Sequence, residues 1–109
     1  MARQSLGEFE HLIMLAIVRA GPDAYGVSII EEVEANTGRS VSQAAAYLTL
    51  RRLDEKGWVK SKLADPTPER GGRAKRYYAL KPAGIERLKE SRATLLTMWD
   101  GIATEIDEG

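Results

Sequence analysis

Glycine-bearing breaks punctuate the first two thirds of this chain, and they restrict its fold more than any other feature. Gly21-Pro22, Asn36-Thr37-Gly38, Gly57 and Gly71-Gly72 leave segments each long enough for one helix or one short strand. Between Leu6 and Ala20, the residues Phe9, Leu12, Ile13, Ala16, Ile17 and Ala20 recur at spacings of three and four, the pattern of one helix face. Met14, Leu15 and Val18 widen that stripe, so this first helix is expected to be buried nearly all round. Ser5 with Glu8 three residues on reads as its capping box. In the next segment Tyr25, Ile29 and Val33 sit four apart with Ile30 beside them, opposite Glu31, Glu32 and Glu34. A third helix should begin after Ser40 or Ser42 and run to Lys56, with its core stripe through Ala46, Leu50 and Leu53.

Beyond Gly57 the period changes. Residues 58–63 and 75–80 have the composition of two short strands, joined by the Gly- and Pro-bearing stretch 64–74. Pro82 then suits the first turn of a last helix, whose Ile85, Leu88, Arg92, Leu95, Trp99, Ile102 and Ile106 alternate in steps of three and four. That is a heptad seam with one charged interruption, on the order of 30 Å long at about 1.5 Å per residue. A domain this small has no core to cover it, so a second copy of the chain is the expected partner.

Composition excludes several kinds of chemistry. Without cysteine there is no disulfide, thiol nucleophile or Cys-based zinc site, and His11 is the single histidine. No catalytic constellation is visible, so neither enzymatic activity nor a cofactor is expected. The longest apolar run, Leu12 to Val18, is seven residues, against about 20 for a membrane span. With no signal-like leader at the N-terminus, the expectation is a soluble, cytoplasmic protein without membrane contact.

Sixteen Lys/Arg and sixteen Asp/Glu cancel to zero net charge, but they are not evenly spread. From Arg39 to Arg76 the chain holds ten basic and four acidic residues, a balance of +6, so the flanks carry −6. The basic excess coincides with the third helix and the strand pair. Arg70, Arg73, Lys75 and Arg76 surround Gly71-Gly72, a composition suited to entering a narrow groove of DNA. Three helices followed by a hairpin with a basic tip is the order of a winged helix-turn-helix, mainly α and formally α+β. The chain accordingly divides into a DNA-binding domain, residues 1–81, and a C-terminal dimerisation helix, residues 82–109.

Longer motifs carry a resemblance. Leu12-Ile13-Met14-Leu15-Ala16-Ile17, Gly21-Pro22-x-x-Tyr25-Gly26, Tyr47-x-x-Leu50-x-Arg52-Leu53-x-x-Lys56-Gly57, Gly71-Gly72-Arg73-Ala74-Lys75-Arg76-Tyr77-Tyr78-x-Leu80 and Lys81-Pro82-x-Gly84 occur in this order. Together they resemble the PadR family of transcriptional regulators over about residues 6–90, with one departure: the family commonly has glycine where this chain has Ala44. The resemblance implies a dimeric DNA-binding repressor or regulator of the type with a short C-terminal region. It also implies a candidate effector, because some members sense phenolic acids or planar hydrophobic drugs. Trp99, on the seam, is read first as packing and second as the residue whose two copies could stack on such a small aromatic effector.

With Leu50 at the centre of the buried face, a step of about 100° per residue puts Ala44, Leu48, Arg51 and Arg52 on the opposite side. Arg51 and Arg52 are the DNA contacts expected from the helix body. Leu48 suits a thymine methyl group or is simply an exposed leucine, and Gln43 suits adenine. Ser42 is read first as a cap and second as a contact. Tyr47 and Tyr25 could brace the core while their hydroxyls reach phosphates. Trp58 should close the core where the third helix meets the first strand, and His11 should lie at the core boundary. A second reading stays open: a winged-helix adaptor that binds an acidic protein segment, without sequence-specific DNA binding.

Overall fold

A computed structural model describes residues 5–64 and 74–108. Helix α1 spans Glu8–Ala20, a 3-10 turn Gly21–Asp23, α2 Gly26–Thr37 and α3 Gln43–Glu55; β1 is Val59–Leu63, β2 Arg76–Leu80, α4 Pro82–Trp99 and α5 Ala103–Glu108. The three helical stripes meet in one core. Ile13 and Met14 of α1, Ile29 of α2, Leu50 and Leu53 of α3 and Val59 of β1 are all at 0% exposure. Burying an aliphatic side chain of this size contributes about 1.5–3 kcal/mol, so these six dominate the apolar stabilisation.

The strands form an antiparallel pair in which Val59 faces Leu80 and Ser61 faces Tyr78. The period of two sends Val59 into the core and leaves Lys60 and Lys62 exposed. Tyr78 N–H donates to the Ala24 carbonyl at 2.8 Å, and Tyr25 bridges Tyr77. The segment before α2 therefore lies along the free edge of β2 and ties it to the helices.

Four expectations are corrected. The cap of α1 is Gly7 rather than Ser5, because Glu10 reaches back to accept the Gly7 N–H at 3.0 Å. Nor is α1 buried all round: Leu15 and Val18 are 40% and 59% exposed. The last helix is not continuous. It stops at Trp99, and Gly101, at φ 82°, takes the left-handed conformation that ends a helix before α5 begins. Strand ends also shift by one residue, since Trp58 lies in the turn before β1 and Lys75 immediately before β2.

His11 of α1 links to α4 through its Nδ1, 2.8 Å from Ser91 Oγ. Burial holds the imidazole below its ordinary value of 6.5. Above that pH the ring is neutral folded or unfolded and costs nothing. Below it the unfolded chain takes up the proton first, so stability should fall as pH drops. Glu8 and Glu10, both held below 4.5, keep their contribution throughout this range and lose it only at lower pH. Urea melts between pH 7.5 and 5.5 should thus show a decline in wild type that His11→Gln lacks.

Candidate nucleic-acid interface

Helix α3 begins with a made cap: Ser42 Oγ accepts the Ala45 N–H at 3.0 Å. The cap fixes the start of the helix, and its inner face, Ala46, Thr49, Leu50 and Leu53, is buried. All the remaining positions from Gln43 to Glu55 are exposed. Ala44, Leu48, Arg51 and Arg52 share that outer surface, where the helical step from Leu50 puts them, and Leu48 is 46% exposed. Among the described residues no hydrogen bond or ion pair engages Arg51. Arg52 acts only at a distance, through its field on Glu10.

Two other basic residues of the central segment are committed elsewhere. Arg39 pairs with Glu8 and Lys56 with Glu10, each at 2.8 Å, against the first turn of α1. Arg39 holds the Glu8 carboxyl below its usual range. Burial would push Glu10 up, but the bonds from Lys56 and the Gly7 N–H, helped by Arg52, outweigh it and bring the net shift down. Among the described residues of the central segment, the cations left outward-facing and uncommitted by these pairs include Arg51 and Arg52 on α3 and Lys60 and Lys62 on β1.

The wing is fastened to the helices by its own basic and aromatic residues. Lys75 Nζ sits 3.9 Å from the Tyr25 ring centroid, and Tyr25 meets Tyr77 edge-on at 5.7 Å and 70°. Arg76 donates to Ser61 Oγ at 3.0 Å, and Ser61 donates to Asp54 of α3 at 3.2 Å. Tyr25, Lys75 and Arg76 are thus brought together as a brace between α2, the wing and α3. Burial, opposed by Arg76 and reinforced by Tyr47 and Asp54, raises the Tyr78 phenol above 10.0. Arg70 and Arg73 lie outside the described residues.

Sequence reasoning missed Lys60, Lys62, Ser61, Asp54 and Tyr77 as parts of this surface. Alternation along β1 could have shown the two lysines, whereas the Ser61 and Tyr77 contacts depend on tertiary pairing. Tyr47 is 44% exposed and rests on Gly26, the first residue of α2. At the C-terminal end, Leu88 packs on the core, while Ile85, Leu95, Trp99, Ile102 and Ile106 stay 39–55% exposed. Among the described residues no group of three or more acidic or histidine side chains could hold a metal, and no helix is long and apolar enough to cross a membrane.

Three helices, a capped third helix with an open outer face and a two-stranded wing define a winged helix-turn-helix domain. The sequence pattern of the PadR-like family of transcriptional regulators matches residues 14–90. The chain belongs to that family. No curated protein matches it. Its fold is similar to that of a PadR family transcriptional regulator from Eggerthella lenta, with TM-score 0.69, 23% identity and coverage of 94% of this chain and 88% of that one. A PadR-like transcriptional regulator from Bacillus cereus gives TM-score 0.67 at 20% identity, covering 92% and 88%. A PadR family regulator from Clostridium difficile gives 0.68 at 20%, covering 90% and 98%.

The contact between Tyr47 and Gly26 can be checked. A Cβ at Gly26 would overlap the tyrosine ring and hydroxyl, so Gly26→Ala should cost about 1–3 kcal/mol. In a Tyr47→Ala background that cost should nearly vanish, measured as a double-mutant cycle in urea. An unchanged cost would mean that the strain arises elsewhere.

Proposed function

We propose that this protein is a homodimeric regulator that binds a pseudo-palindromic DNA operator and represses transcription from it. The observation that carries the reading is the outer face of α3, where Leu48, Arg51 and Arg52 are exposed on a helix whose inner face is anchored in the core, with Gln43 exposed at its first turn. An α-helix of this kind fits the major groove, where arginine pairs with guanine, glutamine with adenine and an apolar side chain with the thymine methyl. Lys60 and Lys62 extend the positive surface onto the wing. Arg70, Arg73, Lys75 and Arg76 are assigned to phosphate or minor-groove contact on sequence grounds, with Lys75 and Arg76 also bracing the wing. Tyr25 and Tyr47 are assigned to positioning at the phosphate backbone, and Ser42 to the cap that orients Gln43.

Dimerisation is assigned to the C-terminal region, residues 82–109, through Ile85, Leu88, Leu95, Trp99, Ile102 and Ile106. The apolar groups that α4 and α5 leave open support it: Leu95 is 55%, Trp99 46% and Ile106 54% exposed. Trp99 supplies the aromatic surface on which a planar effector would stack to release DNA. The acidic flanks disfavour loose attachment to DNA.

Two experiments test this reading. In mobility-shift titrations on a selected operator, Arg51→Ala and Arg52→Ala should each weaken binding by about 1–3 kcal/mol, roughly 5- to 150-fold in Kd. Affinity should also fall steeply and log-linearly with salt. Unchanged affinity in the double variant would sink the assignment of α3 to DNA. Separately, Leu95→Asp or Ile102→Asp should give a monomer by light scattering and weaken operator binding together, to the lower affinity of a single half-site. A variant that stayed dimeric would place the contact on another surface.

A further inference from the structure

Among the described residues of α4, Gly84 alone is buried. It lies directly on the backbone of Trp58, immediately after α3. A Cβ at position 84 would come within 2.9 Å of the Trp58 carbonyl carbon and 3.1 Å of Met14 Cε, and closer still to the Trp58 carbonyl oxygen. That oxygen accepts the Lys81 N–H at 2.9 Å, one turn before Gly84, while the Trp58 N–H donates to Leu53 of α3 at 3.0 Å. The indole, 5% exposed, is flanked by Lys56 Nζ at 4.8 Å from α3's end and by Arg87 Cζ at 5.7 Å from α4. One residue therefore joins the exit of α3 to the entry of α4 through backbone contacts on both sides.

We infer that Gly84 is a specificity-determining residue: by letting α4 sit on the Trp58 carbonyl, it sets the angle between α4 and α3, and hence the half-site spacing the dimer accepts. This inference rests on the DNA-binding, dimeric reading above. The magnitudes make spacing sensitive to it. Relieving the overlap of a methyl group requires a displacement of about 1 Å at Gly84, one turn from the Lys81 anchor. Pivoted there, α4 tilts by about 13°, and Trp99, about 27 Å from the pivot, moves about 6 Å. The rise of duplex DNA is about 3.4 Å per base pair. Each protomer of a two-fold dimer contributes the same displacement, so the separation of the two α3 helices changes by the order of a base-pair step.

The test uses the full chain and a selected half-site, presented singly and as inverted pairs whose spacing varies by single base pairs. Wild type should favour one spacing. Gly84→Ala should move the preferred spacing by at least one base pair, or flatten the preference to under threefold, while binding the single half-site within twofold of wild type. A folded, dimeric Gly84→Ala protein with the wild-type spacing profile would overturn the inference. If circular dichroism shows Gly84→Ala unfolded, Arg87→Ala decides: loosening the indole from α4 should reduce spacing selectivity at least threefold, and an unchanged profile overturns the inference. If wild type selects no duplex at all, the DNA reading fails and this inference fails with it.

Discussion

Leu50 and Leu53 hold α3 against α1, α2 and β1 with no solvent around their side chains, and that burial decides which side of the helix faces outward. The two leucines lie three residues apart, so together with Ala46 they define one stripe and leave Leu48, Arg51 and Arg52 no inward orientation, whereas Gln43 continues that stripe and is exposed at the first turn of the helix. Truncating either leucine would cost about 2–5 kcal/mol, enough to threaten a domain with a net stability of about 5–15. Rotation of α3 about its axis is thereby prevented. The outer face is a consequence of the core, and any DNA-reading role inherits its orientation from it.

The charges follow a similar division. Glu8 and Glu10 occupy the first turn of α1, where the helix dipole favours carboxylates, and each draws in one cation. Lys56, which also borders Trp58, is thus turned back toward α1 and fixes the end of α3. The exposed pair of Arg39 and Glu8 contributes little to stability; its effect is to remove one cation from the outward-facing set. Wing and helices are joined by different means, a ring contact at Tyr25 and a polar chain from Arg76 through Ser61 to Asp54. The surface is therefore rigid at the base of the wing.

The helices of the domain were legible because their stripes have the right period and their ends carry glycine, serine or proline. Local chemistry misled at Ser5, where a longer side chain from Glu10 satisfies the backbone at Gly7 instead. It also misled at Gly101: a heptad pattern can continue across a break, since periodicity registers where apolar residues fall and not whether the backbone between them stays helical. On the candidate surface, Arg51, Arg52 and Leu48 followed from angular position alone. The contacts of Tyr25, Lys75 and Arg76 did not, because each depends on the register of β2 with β1 and with the segment before α2, which the intervening sequence does not specify.

The break at Gly101 bears on the proposed dimer. Leu95, Leu96, Met98 and Trp99 are all at least 46% exposed, and they span a wide arc of α4 rather than the narrow line of a two-stranded coiled coil. Beside them, Leu12 and Leu15 of α1 and Leu95 of α4 line a groove of about 660 Å³ with His11 and Ser91 in its wall. A straight partner helix would cover one side of that arc. A helix that ends at Trp99 and resumes at Ala103 breaks the straight seam, which suits a partner that wraps around α4 and enters the groove. Such wrapping would bury His11 further and deepen the imidazole's reluctance to take a proton, so operator binding through the dimer should weaken with acid in the range where the folded chain itself loses stability.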